Sequence, residues 1–243
     1  MVMPLWDESP LKFAKPPYVT WALIAANVLV FIAQVAATPE MQPAIDAYAM
    51  TPAAVSGALV VTSGPPPYLT LLSYMFLHAN IFHLLGNMIF LWVFGDDVEE
   101  AMGPLRFIVF YLVSGVVAAL AFVASSTHAL TPLVGASGAI AGILAAYLMF
   151  RPCQKVMVFI PYFLLWFVVR PLVRLDAYWV LGGWVLVQFW QISTQTQDEV
   201  AYMAHVGGLL AGAVMFPLLR KREVRLFECL HPPEAPVSSS PVS

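Results

Sequence analysis

Apart from Arg106 at the very start of the third, no lysine or arginine lies within six long apolar stretches of this chain, and that distribution constrains the fold more than any other feature. The stretches run approximately from Tyr18 to Ala37, Leu77 to Gly95, Leu105 to Ala124, Ser137 to Phe150, Ala177 to Ile192 and Val200 to Leu219. A helix crossing the hydrocarbon core of a bilayer needs about 20 mostly apolar residues. The fourth stretch is short as written and is expected to extend to either side. All 11 basic residues (Lys12, Lys15, Arg106, Arg151, Lys155, Arg170, Arg174, Arg220, Lys221, Arg222 and Arg225) fall on one side of a six-span arrangement. The opposite loops, near residues 38–68, 125–132 and 193–199, carry none. Basic loops stay cytoplasmic, so both termini are expected there. The expected fold is an all-α polytopic membrane protein. Residues 1–16 form a cytoplasmic N-terminal segment, 17–220 a six-helix transmembrane domain, and 221–243 a disordered cytoplasmic tail rich in Pro and Ser.

Composition agrees with this reading. The chain is 60% hydrophobic and 10% charged, against about 25% charged in ordinary soluble domains. A net charge of -3 leaves no broad basic face for nucleic acid. Cys153 and Cys229 are too few for a disulfide framework and form no CxxC pair; Cys153 is expected to be inert. The first residues show no removable signal peptide and no organelle-targeting presequence. The first span is therefore expected to act as its own insertion signal, in a bacterial plasma membrane. Pro161 interrupts the apolar run from Val156 to Val169, which reads as interfacial or as a lead-in to the fifth span. The loop from Thr38 to Tyr68 holds Ile45, Tyr48, Met50 and Leu59 and is expected to lie partly in the interface. No internal repeat suggests a transporter built from two halves.

Polar groups inside a span are costly and tend to be functional. Here they are few: His83 and Asn87 in span two, Ser137 opening span four, Gln188 in span five and His205 in span six. His205 lies five residues inside span six, roughly 7–8 Å at the 1.5 Å helical rise. Ser137, His83 and Asn87 share the same outer half of the bilayer. His83 and Asn87 are i and i+4, on one helix face. A serine hydroxyl becomes a nucleophile when a neighbouring base takes its proton, and a neutral histidine does so near pH 7. The resulting oxyanion needs preorganised donors; the Ser137 N–H and the side chains of His83 and Asn87 are candidates. No carboxylate lies in a span at this depth, so the expected unit is a dyad, without metal or cofactor. Gly135 and Gly138 flank the serine closely. Gly138 and Gly142 in span four, and Gly208 and Gly212 in span six, are spaced for close helix approach, which would let Ser137 meet His205. Each residue alone has a packing explanation; their order and common depth carry the argument. His78 and His83 are five apart, off a common helix face, which disfavours a metal pair. His128 and His231 read as incidental, and Trp179, Trp184 and Trp190 as lipid-facing or packing residues.

Three segments carry a family resemblance: FLHANIFHLLGNMIFLWVFGDDVEEAMG, GASGAIAG and AHVGGLLAG. They resemble the His-xxx-Asn helix, the Gly-x-Ser-Gly nucleophile motif and the catalytic-histidine helix of the rhomboid intramembrane serine proteases, in the order of the six-span bacterial form. The resemblance implies Ser137 as nucleophile, His205 as base, and His83 and Asn87 as oxyanion-site residues. It implies structural roles for Glu99, Gly103 and Arg106, and a substrate gate around Trp184 and Gln188. The implied partners are single- or multi-span membrane-protein substrates and the lipid bilayer. Two positions depart from the family pattern. The approach to span two reads PPPYLTLLSY where many members carry a Trp-Arg pair in that loop. Ala141 stands where some place a tyrosine on the base. The alternatives are a non-catalytic relative that binds membrane proteins without cutting them, and a small transporter lined by His83, Asn87 and His205.

Overall fold

A computed structural model describes residues 3–7, 16–125, 127–159, 171–193, 200–227 and 229. The six apolar stretches appear as helices α1 (Tyr18–Ala36), α5 (Ile81–Met102), α6 (Pro104–Ser125), α7 (Ser137–Phe150), α8 (Ala177–Ser193) and α9 (Val200–Leu219). Between α1 and α5 lie three short helices, α2 (Gln42–Asp46), α3 (Pro52–Val55) and α4 (Pro67–Ser73). Among the described residues, four helices are long and apolar enough to cross a membrane: those at Tyr18–Ala36, Ile81–Met102, Pro104–Ser125 and Tyr202–Leu219. Ser137–Phe150 and Ala177–Val187 are shorter apolar helices.

The all-α expectation needs correction. Strands β1 (Met3–Asp7), β2 (Lys155–Phe159) and β3 (Leu172–Asp176) form an antiparallel sheet in the order β1-β2-β3. The first residues, read as a plain N-terminal segment, supply an edge strand, and Val156–Phe159, read as interfacial, supplies the centre. A five-residue strand with only two β-branched residues, Val156 and Val158, is hidden inside a longer apolar stretch, where length favours a span over a strand. Val156 and Val158 are fully buried, and Lys155 closes the β2–β3 end with a 2.7 Å ion pair to Asp176. Pro161 and Arg170 lie outside the described residues, as do Lys12, Lys15, His231 and, in the expected tail, residues 228 and 230–243.

Span two is also shifted. A 3₁₀ turn at Tyr74–Phe76 precedes it, and the helix starts at Ile81, not Leu77. Asn80 sets that start: its Oδ1 accepts the His83 N–H at 2.9 Å, satisfying a donor that the first turn leaves unpaired. The helix continues past Gly95 to Met102 and stops at Gly103, whose φ is +85°. Pro104 then opens α6.

The opening turn of α1 has no side-chain cap of its own. The buried Glu99 carboxylate of α5 takes that role, accepting from the Val19 N–H (3.1 Å), the Thr20 N–H (2.8 Å) and the Thr20 hydroxyl (2.8 Å). In an apolar surround each unpaired donor costs about 1–3 kcal/mol. Glu99→Ala should therefore destabilise the fold by roughly 2–4 kcal/mol, read as a lowered thermal midpoint in detergent. Glu99→Gln, which keeps one acceptor oxygen, should lose less.

The two ends of the bundle differ in chemistry. At one end Arg106 donates to the Leu219 carbonyl (3.2 Å), the Lys221 N–H to the Ala101 carbonyl (2.8 Å), and Arg151 pairs with Asp97 (3.3 Å). The sheet docks there, where Tyr147 donates to Asp7 at 2.5 Å. Cys153, expected to be inert, forms a disulfide with Cys229 that ties the α7–β2 connection to the segment after α9; spacing in sequence gave no sign of it across 76 residues. At the opposite end α3 and the residues flanking it bond to the loop before α7. Met50 and Leu133 exchange backbone bonds, and the Ala53 N–H reaches the Ala129 carbonyl at 3.1 Å.

Candidate active site

Helix α7 begins at Ser137, so that residue's N–H belongs to the first turn, where donors have no intrahelical acceptor. The turn into it depends on Gly135, whose φ of +115° is strained for any residue with a Cβ. Its N–H is fixed by the Tyr74 carbonyl at 2.9 Å. A Cβ at Gly135 would lie 2.6 Å from His83 Cε1, 2.7 Å from His83 Nε2 and 3.5 Å from Asn87 Nδ2. Backbone and imidazole thus meet across a gap that only hydrogen can fill. His83 and Asn87 lie one turn apart on α5 and reach the same point. Asn87 is buried, and its Nδ2 has no acceptor among the described residues.

From the other side, His205 Nε2 lies 2.8 Å from Ser137 Oγ. The approach follows from the glycines. A Cβ on Gly208 would overlap the Gly138 carbonyl oxygen, and one on Gly212 the Gly142 carbonyl oxygen. α7 and α9 therefore touch backbone to backbone. One turn above Gly208, the His205 side chain meets the start of α7. Gly138 faces Ala118 of α6 and Tyr74: a Cβ there would sit 2.6 Å from Ala118 Cβ and 3.1 Å from the Tyr74 hydroxyl oxygen.

His78 is 2% exposed and sits outside α5, its ring edge-on to His83 at 5.2 Å between centroids. Burial, with the adjacent His83 as a lesser cause, lowers its pKa to about 4, so it is neutral at neutral pH. Trp184 of α8 lies against His205, 5.4 Å between ring centroids. The side chain of Gln188 lies outside the described residues. His128 is exposed in the loop before α7. Among the described residues no three His, Cys, Asp or Glu side chains are grouped as a metal site requires.

Two contributors were missed in the sequence. Asn80 fixes the first turn of the His83 helix, and an Asn just before an apolar run is a readable helix-start signal. Tyr74 holds Gly135 through its carbonyl and donates its hydroxyl to the Gly115 carbonyl at 2.8 Å; no local pattern marks such a long-range brace.

Comparison with known proteins adds an independent line. The family model for the Rhomboid domain matches residues 66–222. The human presenilin-associated rhomboid-like protein, mitochondrial, is 29% identical over 200 residues, covering 78% of this chain and 45% of that protein. Rhomboid protease AarA of Providencia stuartii is 31% identical over 155 residues, 58% of this chain and 52% of that protein. Rhomboid protease GluP of Bacillus subtilis (strain 168) is 41% identical over 78 residues, 32% of this chain and 15% of that protein. The chain thus spans about half the length, or less, of these relatives.

Proposed function

The chain belongs to the rhomboid family and is an integral membrane protein, and from that premise we propose that it is an intramembrane serine endopeptidase. It cleaves peptide bonds in or near the transmembrane segments of membrane-protein substrates. The single observation that supports this most is the 2.8 Å separation of His205 Nε2 and Ser137 Oγ, which is within reach for direct proton transfer. In the proposed reaction His205 carries its proton on Nδ1, leaving Nε2 to accept. Ser137 Oγ attacks the carbonyl carbon as its proton passes to His205. The oxyanion is met by the Ser137 N–H and the side chains of His83 and Asn87. His205 then returns the proton to the leaving amine. Water, activated by the same imidazole, releases the acyl group and restores the serine.

Six spans with both termini cytoplasmic belong to the same proposal. Its support is the gathering of Arg106, Arg151, Lys155 and Lys221 at one end of the bundle, with the serine at the far end of α7 from Arg151. The disulfide sits at that basic end; in a reducing cytoplasm the pair would stand as thiols. A bacterial plasma membrane is the proposed location, and organellar membranes, as in the relatives named mitochondrial, are the alternative. Trp184 and Gln188 on α8 are the proposed substrate gate. That helix leaves Trp179, Leu186 and Trp190 exposed.

The test is cleavage by purified protein, in detergent or proteoliposomes, of a single-span substrate containing helix-weakening residues. An unwound segment is required because a hydrogen-bonded helix shields its carbonyls. His83→Ala and Asn87→Ala should each lower kcat by about 10²- to 10³-fold, the range for loss of one oxyanion donor, with KM little changed. A purified wild type with no activity on any such substrate would favour the binding-only alternative.

A further inference from the structure

We propose that Cys153 and Cys229 are a reversible redox clasp that locks together the basic ends of the helices carrying Ser137 and His205. They are the only two cysteines of the sequence, so internal oxidation has one outcome. Cys153 lies in the turn after α7. That turn is bonded to the start of α8, where the Tyr178 N–H donates to the Pro152 carbonyl at 3.0 Å and the Ala177 N–H to the Gln154 carbonyl at 2.8 Å. Cys229 lies on the strap that follows α9. The strap folds back against the end of α7: Val224 is buried, and the Phe227 N–H donates to the Met149 carbonyl at 2.7 Å. None of these bonds involves a sulfur. In the thiol form they hold the two Cα atoms near the 5.2 Å at which they are linked, inside the range of about 4.4–6.8 Å that a disulfide requires.

Compartment and access make the link a switch and not a fixed brace. On the proposed topology this end faces the cytoplasm, where thiols are kept reduced and disulfides are usually transient and redox-sensing. Cys229 is exposed and Cys153 half-buried, so a small disulfide reagent reaches the outer sulfur first. With oxidised glutathione as the oxidant, the Cys229 thiolate, its proton lost to water, attacks one glutathione sulfur. A mixed disulfide forms and one glutathione thiolate leaves. The Cys153 thiolate then attacks the Cys229 sulfur, forming the internal bond and expelling the second glutathione. Two protein thiols are oxidised and one glutathione disulfide is reduced to two thiols. Reduced glutathione reverses both steps. The bond joins positions 76 residues apart, closing a loop that contains β2, β3, α8 and α9. Closing so long a loop removes much of the freedom of the unfolded chain and keeps α7, α8 and α9 from parting. Ser137 opens α7 at its other end, roughly 20 Å away at the helical rise. The bond therefore sets how well the bundle endures, not how fast the dyad reacts.

The test uses the purified full chain equilibrated in excess reduced or oxidised glutathione, with free thiols counted by alkylation and mass spectrometry. Wild type should carry two free thiols in the first, and in the second none and no bound glutathione. The oxidised form should unfold about 4–16 °C above the reduced one. Cys153→Ser and Cys229→Ser should each abolish that difference. Resting on the reading of Ser137 and His205 as the dyad, cleavage of a single-span substrate should be equal for both forms well below both midpoints. Between the midpoints it should persist only in the oxidised form. A bond that survives excess reduced glutathione, a pair left as thiols or as mixed disulfide by oxidised glutathione, or equal midpoints for the two forms would each overturn the clasp. Absence of cleavage in both forms at every temperature would overturn the dyad instead, and the thiol counts and midpoints, which need no turnover, tell the two failures apart.

Discussion

Ser137→Ala and His205→Ala should each reduce substrate cleavage by at least about 10³-fold, because groups acting as one nucleophilic unit fail together. The serine hydroxyl attacks usefully only as its proton leaves, and the imidazole 2.8 Å away is the acceptor the site provides. Removing the imidazole leaves the hydroxyl as a weak nucleophile; removing the hydroxyl leaves a base with nothing to activate. The double variant should therefore be no slower than the worse single one. Both side chains are half-buried and neither caps a helix, so thermal stability should change by less than about 1.5 kcal/mol. Chelators should leave the wild-type rate unaltered. Kinetics on one fluorogenic single-span substrate, with unfolding followed in parallel, measures all of this.

Gly208→Ala should be the most damaging small substitution in the bundle. One methyl there would overlap the Gly138 carbonyl oxygen and come within 3.3 Å of the Ala141 methyl. The obstacle is backbone, which cannot turn aside as a flexible side chain would. α9 must slide or tilt away from α7, and overpacking of this kind costs about 1–3 kcal/mol, occasionally more. The same displacement separates His205 from Ser137, and a shift of about 1 Å can cost 10²-fold in rate. Activity should thus fall further than stability. Gly183→Ala is the control: a Cβ there meets nothing within 4 Å. Losing the flexibility of a mid-helix glycine should leave stability unchanged or raise it by up to about 1 kcal/mol. Equal effects of the two alanines on cleavage would mean that the α7–α9 contact does not set the dyad.

The helices were legible because each requirement of a bilayer is local: a run long enough to span, nearly free of charge, with basic residues gathered at one end. Ser137, His205, His83 and Asn87 were legible because a polar group in such a run stands out against its neighbours. The sheet was not, since β1 and β2 are far apart in the chain and pair through backbone groups that carry no residue signature. The Cys153–Cys229 link was hidden for the same reason. The start of α5 was misplaced by four residues because the apolar run begins before the cap, and Asn80, not hydropathy, decides where the helix opens. Trp184 was read as a gate residue from its helix; its contact with His205 depends on how α8 lies beside α9, which no spacing in the sequence encodes.

The central claim is that the hydroxyl of Ser137 is made nucleophilic by His205. Residue-resolved labelling of the purified protein with a fluorophosphonate measures this most directly, because the reagent reports an activated serine without needing the natural substrate. The account predicts a covalent adduct on Ser137 in the wild type and its loss in His205→Ala. Labelling of Ser137 that persists undiminished in His205→Ala, or an adduct confined to other residues, would contradict it.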